Sequence, residues 1–198
     1  MRAKRALDVV VGGLLLVATS PLWLVVTVVI KLTSPGPVLH RAVRVGKDAR
    51  PFTILKFRTM RVAAGPGITS AADPRITGVG RVLRRFKVDE LPQLVNVVRG
   101  DMSLVGPRPE DPRYVERYTD DQRRVLRMRP GLTSPATLAY RDEERLFDDG
   151  DVEQVYVERI MPRKLALDAQ YVEAWSMSLD VRVIVRTIAA LFVRPRRA

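Results

Sequence analysis

The 198-residue chain predicts an α/β fold that is mostly helical, with a membrane-embedded start and one small domain behind it. Three observations predict this. Val9 to Ile30 is uncharged and almost wholly apolar, with Ser20-Pro21 at its middle. Val38 to Val45 and Phe52 to Phe57 read as short extended runs, with Gly46-Lys47-Asp48 as the turn of a β-hairpin. In several later segments apolar residues recur three and four apart, the mark of one buried helical face.

Composition sets the outer bounds. A hydrophobic fraction of 46% and a charged fraction of 28% fit a folded chain with a core. The formal charge of +12 points to a polyanionic partner or surface: nucleic acid, anionic lipid headgroups or a phosphorylated substrate. The absence of cysteine excludes disulfides, Cys-ligated zinc and thiol catalysis, and a single His40 argues against a histidine metal site or a Ser-His relay. No repeat or linker justifies a second domain.

Met1 to Asp8 is basic, with Arg2, Lys4 and Arg5. The apolar run after it would extend about 33 Å as a helix, enough to cross a bilayer core. It is too long for a signal-peptide core, and no small-residue cleavage site precedes Lys31. Proline disfavours helical geometry before it, so Ser20-Pro21 marks a break. Cations flank both ends, Arg2, Lys4 and Arg5 on one side and Lys31, Arg41, Arg44 and Lys47 on the other. A helix-break-helix hairpin that enters and leaves one leaflet keeps both flanks on the cytoplasmic face; a spanning helix keeps only one. Residues 1–33 are therefore expected to be a re-entrant anchor, and residues 34–198 a cytoplasmic-face domain.

Ser34-Pro35-Gly36-Pro37 ends the anchor as a turn cluster. The hairpin after it is basic, as suits the headgroup level, and closes on Lys56-Phe57-Arg58-Thr59-Met60. Lys56 and Arg58 flank an aromatic ring and could hold a phosphate above an apolar lipid foot. Arg61 to Ala72 has no hydrophobic period and is expected as a loop. Val79, Val82, Leu83 and Phe86 then share one helical face, with Arg81, Arg84 and Arg85 elsewhere.

The most informative string runs from Arg84 to Glu110, RRFKVDELPQLVNVVRGDMSLVGPRPE. Leu91, Leu94, Val95 and Val98 form the buried face of a short helix, with Asp89 suited to its N-cap, Pro92 to its first turn and Gly100 to its stop. Asp89 and Glu90 would sit at the positive end of the helix dipole, which favours their ionised forms. An isolated Asp-Glu pair there is usually only a cap and a first-turn acid. Here arginines stand on both sides, and Arg108, framed by Pro107 and Pro109, can meet a phosphate bidentately at little ordering cost. Asp89 is a weak nucleophile, so attack on phosphorus needs the phosphate charge offset. Mg²⁺ held by Asp89, Glu90 and a diphosphate would do so.

DELPQL, GDMSLVGPRP and KFRTM together resemble the signature of the bacterial sugar transferases, the monotopic phosphoglycosyl transferases. The resemblance covers nearly the whole chain. It implies a catalytic domain that takes a UDP-sugar and polyprenyl (undecaprenyl) phosphate to polyprenyl diphosphate-sugar and UMP, at the cytoplasmic face of the bacterial inner membrane. It implies attack by Asp89 on the sugar-linked phosphorus, a covalent phosphosugar intermediate, and nucleotide phosphate contact by Arg84. It also implies the same re-entrant anchor, with Ser20 and Pro21 as the break. Glu90 would hold the metal or accept the lipid phosphate's proton.

Beyond Glu110, Pro112 to Met128 is expected to be helical and Arg129 to Thr133 a turn. Ser134 to Arg141 departs from the continuation common in that family, which leaves the sugar open. Arg141 to Asp151 is acidic and loop-like. Tyr156 to Phe192 is mostly helical, and Trp175 with Arg182 and Arg186 suits an amphipathic helix at the membrane interface or one packed on the core. The tail Arg194 to Arg197 suits anionic lipid. A homodimer is compatible with this reading. A basic, membrane-anchored binding protein is the rival, but no helix-turn-helix, RNP or OB pattern supports nucleic acid. A donor hydrolase is a second rival, distinguished by turnover without lipid phosphate.

Overall fold

The computed structural model describes residues 1–61, 73–143, 146–147 and 152–192. Its first element is helix α1, Arg2–Thr33. The hairpin β1 (Leu39–Val45) and β2 (Pro51–Phe57) follows, then helix α2 (Gly78–Arg85), a 3-10 turn Val88–Glu90 and helix α3 (Gln93–Arg99). Strand β3 (Ser103–Val105), helix α4 (Pro112–Val115), a 3-10 segment Gln122–Arg127, strand β4 (Gly131–Thr133) and helix α5 (Pro135–Ala139) make up the middle. Helix α6 (Val152–Val155) runs through a π-turn, Tyr156–Ile160, into α7 (Met161–Glu173), and α8 (Met177–Phe192) closes the described chain. The expected loop falls almost wholly at residues 62–72 and the basic tail at 193–198. Both lie outside the described residues, as does part of the acidic stretch from 141 to 151.

Helix α1 contains Pro21 and keeps helical backbone through it, so Ser20-Pro21 does not separate two helices as expected. The physical reason lies one turn back. Proline cannot donate to the carbonyl of Val17, and Ser20 Oγ donates to that oxygen instead at 2.8 Å. Thr19 Oγ1 likewise donates to Leu15 O at 2.7 Å. Among the described residues α1 is also the one helix long and apolar enough to cross a membrane.

The first turns of α1 are fastened into the domain. Lys4 Nζ donates to Asp180 Oδ2 at 2.6 Å and to Val105 O at 2.8 Å. Asp8 Oδ1 accepts from Ser103 Oγ at 3.0 Å and from Leu104 N at 2.9 Å. Arg5 donates to Val97 O and Val98 O, carbonyls in the last turn of α3. Farther on, Val26 and Ile30 pack with Phe57 and Leu83, and Trp23 meets Phe57 edge-on. Both ends of α1 thus rest on one domain, while Val17, Ala18, Ser20, Pro21 and Leu22 stand exposed between them.

The hairpin pairs Leu39 with Phe57 and Val45 with Pro51, close to the expected bounds. A second pairing was not expected. Gly131–Thr133 is a strand parallel to Ser103–Val105 rather than part of a turn. Two glycines allow it: a Cβ on Gly131 would lie 2.1 Å from Gly106 N, and one on Gly106 would lie 2.3 Å from Arg129 O. A third close approach sets α2, where a Cβ on Gly80 would lie 1.9 Å from Thr59 O.

Helix α3 is buried nearly all round, with Leu94 and Val97 deepest among Ile54, Met102, Leu104 and Tyr171. Each such side chain contributes about 1.5–3 kcal/mol by burial. Gly100 ends α3 in the left-handed conformation, as expected. The α2 face is corrected: Leu83 is buried, but Val82 and Phe86 are 56% and 55% exposed. Helix α8 also leaves Val181, Val185, Ile188 and Phe192 exposed, a stripe at helical spacing.

Candidate active site

The chain leaves α2 through Phe86 and reverses at Lys87, which takes a left-handed φ of 57°. The 3-10 turn Val88–Glu90 follows, and Pro92 occupies the N-cap of α3. Asp89 therefore does not cap α3 as expected. It sits inside the turn, because proline at position 92 starts the helix after the carboxylate pair instead of at it.

That placement divides the two acids. Asp89 is 7% exposed, and its Oδ1 is buried without a hydrogen-bond partner. Burial pushes the Asp89 carboxyl above the usual range and the neighbouring Glu90 charge adds to this, against the pull of Lys56, Lys87 and Arg84. The expectation that the helix dipole would hold Asp89 ionised is reversed, since desolvation outweighs it. Glu90 fares differently. Burial alone would raise it, but Lys56, then Arg108 and Lys87, hold it well below the usual carboxylate range. Its Oε1 accepts from Lys56 Nζ at 2.9 Å and lies 3.7 Å from Arg108 Nη2.

The cations come from separate elements. Strand β2 alternates its sides, so Lys56 reaches Glu90 while Phe57 enters the apolar cluster below α1. Arg84 lies in the last turn of α2, and its Nε donates to Thr59 Oγ1 at 3.0 Å. The Gly80–Thr59 approach makes that contact reachable. Arg108 follows β3, whose edge is held by Lys4 and Asp8. Lys56, Arg84 and Arg108 are thus gathered around the pair. Arg58 is not: its Nη2 donates to Ser34 O at 2.7 Å and to Ser34 Oγ at 2.9 Å, just past the end of α1.

Among the described residues no group of three or more His, Cys, Asp or Glu gathers to hold a metal. The buried, unpartnered Asp89 Oδ1 is nonetheless a hard oxygen donor, and Glu90, next in the chain, carries a second carboxylate. This donor set fits an ion held by one or two carboxylates with the rest supplied by phosphate and water, as Mg²⁺ prefers.

Several residues beside the site were missed in the sequence. Asp168 on α7 accepts from Arg108 N at 3.0 Å and from Ala136 N at 3.3 Å. Tyr156 donates its hydroxyl to Glu110 Oε2. Lys164 pairs with Glu143 at 2.6 Å and lies over the Tyr156 ring. One signal was available: Asp168 and Lys164 interrupt the apolar series Met161, Leu165, Tyr171, and a charge on a buried face needs a partner. The departure at Ser134 to Arg141 is local: Ser134 caps the short helix α5 by accepting from Thr137 N.

A family model described as bacterial sugar transferase matches residues 1–194. The chain is 43% identical over 195 residues to the UDP-glucose:undecaprenyl-phosphate glucose-1-phosphate transferase of Caulobacter vibrioides, covering 95% of this chain and 69% of that protein. It is 36% identical to the Escherichia coli protein of the same name, where it covers 96% of this chain and spans 40% of the longer relative. The exopolysaccharide production protein ExoY of Sinorhizobium fredii is also 36% identical, over 96% of this chain and 85% of its own length. The chain belongs to the bacterial sugar transferase family.

Proposed function

We propose that this protein transfers a sugar 1-phosphate from a UDP-sugar to a polyprenyl phosphate and so initiates an exopolysaccharide or other glycoconjugate. The relatives' names supply the donor and acceptor classes. The observation that carries the reading is Asp89: a buried carboxylate with an unpartnered oxygen, acted on by Lys56, Lys87 and Arg84.

An Asp89 oxygen attacks the β-phosphorus, which carries the sugar. The P–O bond to the α-phosphate breaks, and UMP leaves with that electron pair. An oxygen of the lipid phosphate then attacks the same phosphorus, restoring the Asp89 carboxylate and forming the lipid diphosphate-sugar. Arg108 and Arg84 supply fixed positive charge for the donor phosphates, worth most in a site shielded from water. Mg²⁺ held by Asp89 and Glu90 would neutralise the diphosphate and polarise the reacting phosphorus. A carboxylate as acidic as Glu90 is a poor proton acceptor, which favours a holding role for it. Arg58, tied to Ser34, fits a role at the anchor-domain junction better than donor contact.

The re-entrant reading of residues 1–33, facing the cytoplasm, is supported by the two ends of α1. Lys4 and Asp8 hold one end to β3, and Val26 and Ile30 hold the other near Phe57, whereas a spanning helix would carry one end across the bilayer. The exposed apolar stripe of α8, with Arg182 and Arg186 beside it, suits the same interface. The protein would then meet its prenyl-chain acceptor where it already lies.

The test is UMP release by detergent-purified protein with Mg²⁺ and a panel of UDP-sugars, with and without undecaprenyl phosphate. Release that requires the lipid and singles out one or two sugars is the expected result. Release indifferent to lipid would make the protein a donor hydrolase. Silence across the panel from folded protein would leave a binding role.

A further inference from the structure

The π-turn at Tyr156–Ile160 has a geometric consequence for Arg108. In a regular α-helix, Tyr156 and Asp168 would lie about 120° apart around the axis. A π-turn absorbs one extra residue, about 100° of rotation, and so brings the two onto nearly one face. That face lies against the segment Pro107 to Glu110. Asp168 Oδ2 accepts from the backbone N of Arg108 at 3.0 Å, and the Tyr156 hydroxyl donates to the Glu110 carboxylate. The other Asp168 oxygen accepts from Ala136 N, tying the same point to the start of α5.

The Tyr156 ring belongs to the core, where it meets Tyr114 edge-on, but the core has no need of its hydroxyl or of the Asp168 carboxylate. Asp168 is buried at 3% exposure, and an acid placed there is tolerated only because its oxygens are bonded. A small cavity lined by Arg108, Glu110, Tyr118, Tyr156, Lys164 and Asp168 lies beside these contacts. Backbone bonds already hold the loop on either side of Arg108, from Gly131 N to Pro107 O and from Val45 N to Glu110 O, both at 2.9 Å; Asp168 and Tyr156 act on the residues between and beside these two points.

We infer that Tyr156 and Asp168 are positioning residues, which hold the Pro-Arg-Pro loop so that Arg108 is presented ready-made to the donor's diphosphate. This rests on the reading that Arg108 contacts that diphosphate. Binding of UDP with Mg²⁺ to the full chain in detergent, by calorimetry, tests both. Arg108→Ala weakens UDP binding about tenfold or more. Tyr156→Phe and Asp168→Asn each weaken it about three- to tenfold in the wild-type background and add less than about twofold in the Arg108→Ala background.

Equal losses in both backgrounds, or no loss at all, would overturn the positioning role while leaving Arg108's contact intact. Undiminished binding by Arg108→Ala would instead overturn the contact reading on which the inference rests. Tyr156→Phe removes one oxygen and keeps the ring in its packed place, so it decides the matter even if Asp168→Asn fails to fold.

Discussion

Asp89 and Glu90 are adjacent in the chain and opposite in surroundings. Glu90 is met by Lys56 and Arg108 and held acidic; Asp89 is buried with an oxygen that nothing satisfies, and its proton affinity rises. A carboxylate kept for structure is usually bonded, as Glu90 is. One left unsatisfied costs stability, and that cost is expected where function needs the group free. The difference fits the proposed division of work, in which Glu90 organises cations and Asp89 attacks phosphorus.

The sharpest way to break the contrast is Asp89→Asn. Turnover falls by about 10³-fold or more. The melting temperature rises at neutral pH, because an unpaired buried carboxylate is replaced by a neutral amide, a gain of about 1 kcal/mol or more. Glu90→Gln goes the other way on stability. It leaves Lys56 and Arg108 facing an amide, lowers stability by about 1–3 kcal/mol and lowers kcat/KM about 100-fold, read by thermal melts and steady-state kinetics.

The pH dependence of these melts has opposite signs. The folded state binds fewer protons at Glu90 than the unfolded chain does. The stability from Glu90 is therefore present above the ordinary glutamate value and lost as pH falls through the depressed folded value. Asp89 binds its proton more tightly when folded. Its contribution is present below the ordinary aspartate value and lost as pH rises through the raised folded value. The Glu90→Gln deficit should therefore narrow in acid, and the Asp89→Asn gain should grow from acid toward neutral pH.

The smallest expected effect belongs to Lys56→Met. It removes the cation bonded to Glu90 and one that also favours ionised Asp89, so both carboxyls rise. The acid limb of the activity profile moves to higher pH, with a loss of about tenfold in kcat/KM.

The contrast itself was not legible in the sequence. DELPQL, KFRTM and Pro-Arg-Pro were, and so were the apolar anchor, the hairpin and the Gly100 stop. What was hidden depends on distance along the chain. Lys56 lies 34 residues from Glu90, and only folding decides that it reaches Glu90 while Arg58 turns to Ser34. Lys4 and Arg5 read as flanking charge for an anchor, yet both are spent on contacts with Asp180, Val105 and α3. The β3–β4 pair is three residues long on each side and relies on facing glycines, which local patterning cannot tell from a turn. Proline inside α1 predicts a break on propensity alone, because the Ser20 hydroxyl's service to Val17 O shows only in the fold.

Whether Asp89 carries the phosphosugar is read by intact-protein mass spectrometry after incubation with UDP-sugar and Mg²⁺, without lipid acceptor. The wild-type chain is expected to gain the mass of one phosphosugar, added undecaprenyl phosphate to remove it, and Asp89→Asn never to acquire it. A wild-type chain that stays unmodified under rapid acid quench, while the same preparation makes lipid-linked sugar, would contradict that role for Asp89.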